Sequence, residues 1–201
     1  MLDKGGSFVR RWAVVLVFLF SLTVLSCAEK ILVFEDDFSG SLDQWQYDST
    51  SWHIDNGALI FPNTDYGNIF AGDENWENYA VEAEILPLKY GEWGSVRLFF
   101  RMNKLWFGYG IAFNPDGYTV HRLEGNWNLN LVLKDSASMT FPPGEPIEVR
   151  VEVIDNTITI IANDEILFND EDPDDVYFEG KFGFRADNTA VEIRNVRVYK
   201  L

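Results

Sequence analysis

Strict alternation of apolar and charged residues is the feature that most constrains the fold of this chain. Residues 147–153 read Ile-Glu-Val-Arg-Val-Glu-Val, so every second side chain is apolar. Because successive side chains of a β-strand point to opposite faces, this segment predicts a strand with one face in a core and one in water. From Ile31 onward no segment has convincing helical spacing. The pattern therefore predicts an all-β fold.

Similar short runs recur along the chain, separated by Gly, Asp and Asn at intervals typical of a β-sandwich or jelly roll. Tight turns are expected at Asn56-Gly57, Asp116-Gly117, Asp155-Asn156, Asn163-Asp164 and Asp187-Asn188, and a bulge at Asn195. The predicted strands are 30–35, 52–55, 58–61, 79–87, 95–102, 108–114, 117–123, 128–134, 146–154, 157–162, 165–169, 180–186 and 190–199. With no repeat and no linker, residues 31–201 are predicted to form one antiparallel β-sandwich domain.

The first 26 residues have the pattern of an export signal. Three basic residues lie within positions 1–11, and the apolar run that follows, 12–24, is too short for a comfortable membrane span. The run ends in Val24-Leu25-Ser26-Cys27, which resembles the lipobox of bacterial lipoproteins, where the cysteine is lipidated and becomes the mature N-terminus. Cys27 is also the only cysteine in the chain.

This resemblance implies a signal peptide over residues 1–26, a lipid on Cys27 and a short tether over 27–30. The protein would then be held in the cell envelope by its acyl chains, in the outer membrane or at the cell surface, facing the periplasm or the exterior. Two alternatives are a plain signal peptide cleaved near Ser26 or Ala28, with Cys27 incidental, and an uncleaved signal anchor.

Charge narrows the range of partners. The chain has 32 Asp and Glu against 16 Lys and Arg, a net charge of −16. Such a surface repels phosphate backbones and anionic lipid headgroups, which are bound by clusters of Lys and Arg. We therefore expect no nucleic-acid partner, and membrane contact through the N-terminal lipid only. A neutral polysaccharide is not disfavoured by this charge, and divalent cations are attracted.

Several short motifs follow one another in a characteristic order. They are Phe34-Glu35-Asp36-Asp37-Phe38, Trp52-His53-Ile54-Asp55-Asn56-Gly57, Trp76-Glu77-Asn78-Tyr79, Phe99-Phe100-Arg101, Gly108-Tyr109-Gly110 and Gly180-Lys181-Phe182-Gly183-Phe184-Arg185. Their order and spacing resemble the concanavalin A-like (LamG-like) jelly-roll superfamily of bacterial surface and carbohydrate-active proteins. This superfamily includes sugar-binding modules, lectins, beta-glucanases, domains assigned to glycoside or 3-keto-disaccharide hydrolases, and domains without a known ligand. The resemblance implies an antiparallel jelly-roll sandwich and does not fix the function.

The motifs do not support catalysis. Laminarinase-type members of the superfamily carry Glu-x-Asp-x-Glu on one strand, whereas this chain has only Glu82-Ala83-Glu84. Glu82 and Glu84 share a strand face, and retaining glycosidases need two carboxyls about 5 Å apart, so a glycoside hydrolase using them is one alternative. A solvent-facing side of a strand carries the same charges. The chain has no nucleophile elbow, histidine-rich zinc pattern or phosphate loop, and we expect no required cofactor.

Aromatic residues concentrate between positions 89 and 127. Sugars stack their apolar faces on aromatic rings while polar side chains bond their hydroxyls, and a Trp in a loop exposes apolar surface unless something covers it. This favours a non-catalytic carbohydrate-binding domain, lectin-like, with a poly- or oligosaccharide ligand. The candidate ligand-binding residues are Trp93, Arg101, Trp106, Tyr109, Tyr118, His121 and Trp127.

Three other interpretations of this aromatic set are open. The rings could cap the ends of the sandwich, and Arg101 could pack on Tyr109 or Tyr118 as a cation–π pair. The third is a structural or protein-interaction domain of the envelope without a sugar ligand.

A structural Ca²⁺ is a further expectation from the superfamily, many of whose members bind one near the first and last strands. Glu35, Asp36 and Asp37 lie near the first strand and are the candidate ligands. Near the last strand, several relatives have an Asp before an Asn, where this chain has Arg194-Asn195, so a cation stands in place of one expected ligand. The acidic run 169–175 is a second candidate, for which a solvated loop is the alternative.

Overall fold

Two long strands, β6 (Tyr79–Met102) and β13 (Lys181–Lys200), run side by side and link the two layers of the computed structural model. The structure describes residues 30–62, 65–103, 106–125, 130–174 and 176–201. Thirteen strands and no helix are found in these ranges, and all strand pairs are antiparallel. The strands pair as one continuous system that folds over at β6 and β13. The predicted all-β jelly-roll class is confirmed.

One layer, which we call the groove sheet, uses the second half of β6 and the first half of β13. The other layer, the back sheet, uses their remaining halves. The other strands are β1 (Ile31–Asp36), β2 (Gln46–Tyr47), β3 (His53–Asp55), β4 (Ala58–Pro62), β5 (Tyr66–Ala71), β7 (Phe107–Asn114), β8 (Gly117–Glu124), β9 (Asn130–Ser136), β10 (Ile147–Ile154), β11 (Thr157–Ala162) and β12 (Glu165–Glu171).

The order of the groove sheet is β2-β5-β13-β6-β7-β8-β9. The order of the back sheet is β3-β4-β13-β6-β10-β11-β12, and β1 pairs with the last residues of β13 beside β4. Strands from Ile31 to Lys200 thus belong to the same pair of sheets.

The hydrophobic core lies between the two sheets and follows the alternation of the sequence. In β10, Val149, Val151 and Val153 are buried, while the charged residues between them face outward. In the groove sheet, Leu98 and Phe100 of β6 point into the same core. The residues that alternate with them therefore form the outer face of the groove sheet.

Several turn predictions are confirmed. Asn56-Gly57 and Asn163-Asp164 have positive φ at both residues, as a two-residue hairpin turn with right-handed strand twist requires. Asn195 has a φ of 52°, and the register of β13 shifts around it, which confirms the bulge. The turn near Asp116 lies one residue earlier than predicted, because Asn114 pairs with Gly117 across Pro115-Asp116.

Other predicted boundaries are wrong, and one of the differences matters for the site. Asp187-Asn188 is not a turn, because β13 continues through it with a register shift and a φ of 43° at Asn188. The predicted strands 79–87 and 95–102 are likewise one strand, β6. The sequence prediction omits β5, whose Tyr66-Gly67-Asn68 has the composition of a loop, and the two-residue β2.

The predicted signal peptide, the lipid-bearing Cys27 and residues 28–29 of the tether lie outside the described residues. Within the described part of the chain, no helix is long and apolar enough to cross a membrane.

Candidate functional site

A bulge in β6 holds Trp93 over the outer face of the groove sheet. The residues on either side of the bulge pair with residues of β13 that are two apart, so Gly91–Gly94 lie opposite Asn188 alone. A Cβ on Gly91 would lie 2.4 Å from the Asn188 side-chain nitrogen, and one on Gly94 would lie 2.8 Å from the Asn188 carbonyl oxygen. Both positions therefore need glycine. The Asn188 side-chain amide also donates to the carbonyl oxygen of Glu92 at 2.9 Å.

Trp93 itself is 92% exposed and has a φ of 60°. Left-handed backbone is unusual for a bulky side chain and costs on the order of 1–3 kcal/mol. The packing of the bulge holds Trp93 in this strained backbone conformation. The indole lies in solvent, so burial of the ring does not offset the strain. An exposed indole on a strained, well-packed support is the arrangement expected of a ligand contact.

An open groove of about 680 Å³ lies beside Trp93, and we call it the Trp93 groove. Its floor is formed by the outward side chains of β6, β7 and β8, and part of its rim is formed by the turn between β7 and β8. Besides Trp93, the lining includes Arg97, Ala112, Asn114, Thr119, His121 and Val132.

His121 is a polar group of this floor with an unused hydrogen-bonding atom. The residue is only 5% exposed, and its Nε2 has no hydrogen-bond partner among the described residues. Burial, and secondarily the positive charge of Arg97, lower the pKa of His121 to about 4. The ring is therefore neutral at pH 7 and can accept or donate one hydrogen bond at Nε2, according to its tautomer. An unsatisfied buried polar atom costs about 1–3 kcal/mol.

Arg97 shares a single carboxylate with a second arginine. Arg185 donates to both oxygens of Asp187 and to Oδ1 of Asn68, and its guanidinium lies 4.7 Å from the centre of the Tyr66 ring. Arg97 Nε is 3.4 Å from the nearer Asp187 oxygen without the alignment of a hydrogen bond. Burial and the nearby Arg185 lower the pKa of Arg97, although Asp187 opposes the shift.

The guanidinium of Arg97 thus lines the groove with donor capacity that Asp187 does not use. Together with His121, whose unpaired Nε2 is itself buried in the free protein, it gives the floor two polar groups with unused hydrogen-bonding capacity.

The sequence prediction omits Arg97, Arg185 and Asp187 from the site. Arg97 could have been found from the alternation along β6, since it lies on the face opposite Leu98. Arg185 could also have been found, since it follows the core residue Phe184 on the predicted strand 180–186, whereas the incorrect turn at Asp187-Asn188 hides Asp187.

Arg101 does not belong to the groove. It is 2% exposed, and its guanidinium donates to the backbone carbonyl oxygens of Glu77, Asp155 and Tyr177. A buried guanidinium that joins three segments of chain has a structural role, so we remove Arg101 from the candidate site.

Tyr109 and Tyr118 also lie in the interior, on the core face of β7 and β8. The Tyr118 hydroxyl donates to the carbonyl oxygen of Leu167 at 3.0 Å, and the Tyr109 hydroxyl donates to Asp172 at 2.8 Å. Asp172 also accepts from Arg122, so part of the acidic run 169–175 is buried in an ion pair instead of being solvated. Neither tyrosine reaches the groove, and we remove both from the candidate site.

The predicted site residues therefore separate into groups. Trp93 and His121 come together in the Trp93 groove. Trp106 lies on the same sheet outside the groove lining, half-buried at the end of β6. Trp127 lies outside the described residues.

Glu82 and Glu84 lie on the outer face of the back sheet, away from the Trp93 groove. Glu82 is ion-paired with Arg150, and Glu84 is 3.9 Å from Arg194. Both carboxylates thus interact with arginines on neighbouring strands, which is the solvent-facing arrangement that the sequence offered as the alternative to catalysis.

The candidate calcium ligands already accept hydrogen bonds from the protein. Asp36 accepts from the backbone N–H of Phe38 at 2.7 Å and from the indole N–H of Trp45 at 2.8 Å. Glu35 pairs with Arg197 at 2.8 Å, and Asp37 accepts from a backbone N–H. Among the described residues, no three or more His, Cys, Asp or Glu side chains are grouped to hold a metal ion. Calcium binding at this end of the domain stays a prediction.

Residues 33–199 match the family described as the 3-keto-alpha-glucoside-1,2-lyase-like domain. No curated protein sequence matches the chain.

Three similar solved structures are a carbohydrate-binding module, CBM66, from Bacillus subtilis, a Bacillus subtilis protein of unknown function with a galectin-like fold, and the exoplasmic/lumenal domain of VIP36 bound to Ca²⁺ and Man3GlcNAc. Their TM-scores are 0.67, 0.65 and 0.61, and their sequence identities are 17%, 11% and 11%. The matches cover 76%, 85% and 86% of this chain and 93%, 96% and 88% of the respective structures. At these identities the similarity establishes the fold alone.

The burial of His121 leads to a testable titration. We expect its ring to titrate near pH 4 in the folded protein, as measured by NMR of the imidazole, with a His53→Gln variant used to assign the signal. Because the unfolded ring binds a proton near pH 6.5 and the folded ring does not, stability falls as the pH drops from about 6.5 to about 4. The loss from this one group is on the order of 3 kcal/mol at pH 4.

The His121→Gln variant should lack this part of the pH dependence in urea unfolding experiments at pH 7 and at pH 4. A folded-state midpoint near pH 6.5 for His121 would contradict the buried, neutral ring.

Proposed function

The chain belongs to the family of 3-keto-alpha-glucoside-1,2-lyase-like domains, and from that premise we propose that it recognises a carbohydrate in the Trp93 groove. The observation that carries the proposal is an indole in solvent beside a buried polar floor with unused hydrogen-bonding atoms. The unpaired polar atoms of this floor destabilise the protein until a ligand or water pairs with them. A sugar supplies many hydroxyl groups that can form such hydrogen bonds.

In this proposal the apolar C–H face of a sugar ring stacks on Trp93, and its hydroxyls pair with Arg97 and with His121 Nε2. Because His121 is neutral, it pairs with a hydroxyl without requiring a charged partner. The net charge of −16 does not oppose an uncharged ligand. The fold similarity to a protein named as a carbohydrate-binding module, and to one solved with an oligosaccharide, supports the same class of ligand.

The first prediction from this proposal concerns affinity. With a sugar identified on a glycan array, Trp93→Ala should weaken binding by up to about tenfold, the upper end of what aromatic contacts contribute. Arg97→Gln removes hydrogen bonds from a charged donor and should weaken binding by roughly 10- to 100-fold. Isothermal titration calorimetry measures both changes.

Ile166→Ala is the matched control, because Ile166 is an exposed apolar residue of β12 on the back sheet. It should leave the affinity unchanged. If Trp93→Ala and Arg97→Gln both bind as tightly as the original protein, the groove is not the site.

A second candidate function is elimination on a 3-keto glycoside, and it is favoured by the free Nε2 of His121 together with the family to which the chain belongs. In such a reaction the proton on C2, acidified by the C3 carbonyl, is removed, and the bond between C1 and the glycosidic oxygen breaks. The departing alcohol takes up a proton, and a double bond forms between C1 and C2. Neutral His121 would accept the C2 proton, and the charge of Arg97 would stabilise the enolate oxygen.

This second function is tested with a 3-keto disaccharide and the His121→Gln variant. If His121 is the base, the variant should retain binding but lose turnover by about 10²-fold or more, as followed by release of the alcohol and absorbance of the enone. Glu82→Gln is the control and should retain full activity, since Glu82 lies on the other sheet. Unaltered turnover in His121→Gln would exclude the role of base, and no turnover by the original protein would leave recognition as the function.

We further propose that Cys27 carries the lipid and anchors the domain in the cell envelope. The support is the motif Val24-Leu25-Ser26-Cys27 after an apolar run, and its position four residues before β1 begins at Ile31. A stretch this short spans at most about 14 Å, so a lipid on Cys27 would hold the sandwich close to the membrane surface.

Replacing the cysteine tests the anchor. Cys27→Ser should abolish incorporation of labelled palmitate and move the protein from the membrane fraction to the soluble fraction of expressing bacterial cells. Trp93→Ala, which leaves the motif intact, should remain in the membrane fraction. Persistent membrane association and labelling of Cys27→Ser would show that this residue is not the anchor.

A further inference from the structure

A second tryptophan occupies the far end of the same sheet face. Trp106 follows β6, whereas Trp93 precedes the segment Ser95–Met102 that β6 contributes to the groove sheet. Trp106 has a φ of 64°, close to the 60° of Trp93. Two bulky residues in left-handed backbone thus flank one strand segment of eight residues, which at the rise of a β-strand is about 26 Å long.

Trp106 packs on a small apolar surface, which we call the Trp106 shelf, formed with Phe70, Phe99 and Leu123. The Phe70 and Phe99 rings are stacked with centres 5.8 Å apart, and the Trp106 ring meets Phe70 edge-on at 5.3 Å. The shelf is separate from the main core, because it lies on the outer face of the groove sheet.

Two glycines allow the rings of the shelf to lie close to the sheet. A Cβ on Gly183 would come within 2.3 Å of the Phe70 ring, and one on Gly110 would come within 2.8 Å of the Phe99 ring. The backbone of Trp106 is fixed as well, since its N–H donates to the carbonyl of Asn103 and its carbonyl accepts from the N–H of Gly125. The indole is therefore pre-positioned, which lowers the entropic cost of binding.

The Trp93 groove and the Trp106 shelf lie along the same strands on the outer face of the groove sheet. His121 pairs with Gly110, which pairs with Phe99, so no side chain stands between the histidine and the phenylalanine on this row. Arg97 precedes Phe99 by two residues on β6, and Leu123 follows His121 by two on β8, so each pair shares the outer face. The polar floor beside Trp93 thus adjoins the shelf, in which Phe99 and Leu123 are fully buried and Trp106 and Phe70 are partly exposed.

We propose that the ligand of the Trp93 groove is a linear oligosaccharide that extends along β6 and makes a second stacking contact at Trp106. This inference rests on the proposed carbohydrate recognition and specifies the class of ligand, a chain of several sugars. One sugar ring contacts Trp93, Arg97 and His121, and it is too short to reach Trp106. A chain reaches both tryptophans, and the apolar faces of its rings match the partly exposed rings of Trp106 and Phe70.

Affinity as a function of chain length tests the inference. The probes are ladders of neutral gluco-oligosaccharides from disaccharide to octasaccharide, in α-1,4-, β-1,3- and β-1,4-linked series, titrated calorimetrically into the full chain. In at least one series the longest members should bind about tenfold more tightly than the disaccharide. Trp106→Leu, which keeps an apolar cover on Phe70 and Phe99, should remove this gain and leave disaccharide affinity unchanged.

The outcomes separate the inference from the proposed function. Equal affinity at every length, or a gain that survives in a folded Trp106→Leu protein, overturns the second contact and leaves recognition at Trp93 intact. Absence of binding in every series, at every length, counts against both. Trp93→Ala should weaken short and long chains alike, and Ile166→Ala should change neither.

A measurement on the unaltered protein covers the case in which Trp106→Leu does not fold. The indole N–H signal of Trp106, assigned by triple-resonance NMR, should shift on addition of the longest tight-binding oligosaccharide and stay in place with the disaccharide. A Trp106 signal that is unaffected by every oligosaccharide that binds would overturn the inference.

Discussion

The contact between Asn188 and the bulge Gly91–Gly94 is the interaction on which the site depends. β6 and β13 each pass from one sheet to the other, and at that point their registers differ, with four residues of β6 opposite one of β13. The extra residues of β6 cannot pair with β13, so they project over the groove sheet as a bulge that carries Trp93. The glycines let the Asn188 side chain pack under the bulge, and its hydrogen bond to Glu92 fixes the loop. The strand crossover that joins the two layers thus also generates the exposed indole.

Several buried polar groups support the fold, whereas two others lie at the candidate site. Arg101 and the Tyr109–Asp172 pair are buried at the ends of the sandwich, where carbonyls and carboxylates of adjacent segments accept their hydrogens. Their cost of burial is offset by complete pairing, and they hold loops to strands. Buried His121 and half-buried Arg97 lie on the outer face of the groove sheet with part of their hydrogen-bonding capacity unused. The unused hydrogen-bonding groups destabilise the free protein. A ligand with several hydroxyls would remove this cost by forming the missing hydrogen bonds.

The sequence predicts the fold well because strand alternation is a local property that the core preserves. Val149 and Val151 face inward as their period requires, and Asn195 interrupts β13 where its alternation slips. The site is harder to predict, since whether a polar or aromatic residue faces the groove or the interior depends on the partner strand. Tyr109 lies on the core face of β7, and only the three-dimensional arrangement brings Asp172, far along the chain, to its hydroxyl. Composition alone therefore placed two interior tyrosines in the candidate site together with Trp93, which is exposed.

The location of the site on the groove sheet also follows from the difference between the two outer faces. The back sheet presents carboxylates and guanidiniums, such as Glu82 with Arg150, that pair across neighbouring strands. On the groove sheet, Arg97 and Arg185 share Asp187 near a neutral histidine, and aromatic rings lie at both ends. A sugar ring has apolar faces and polar edges, so a surface that combines aromatic rings with unsatisfied hydrogen-bonding groups complements it better than a surface of ion pairs.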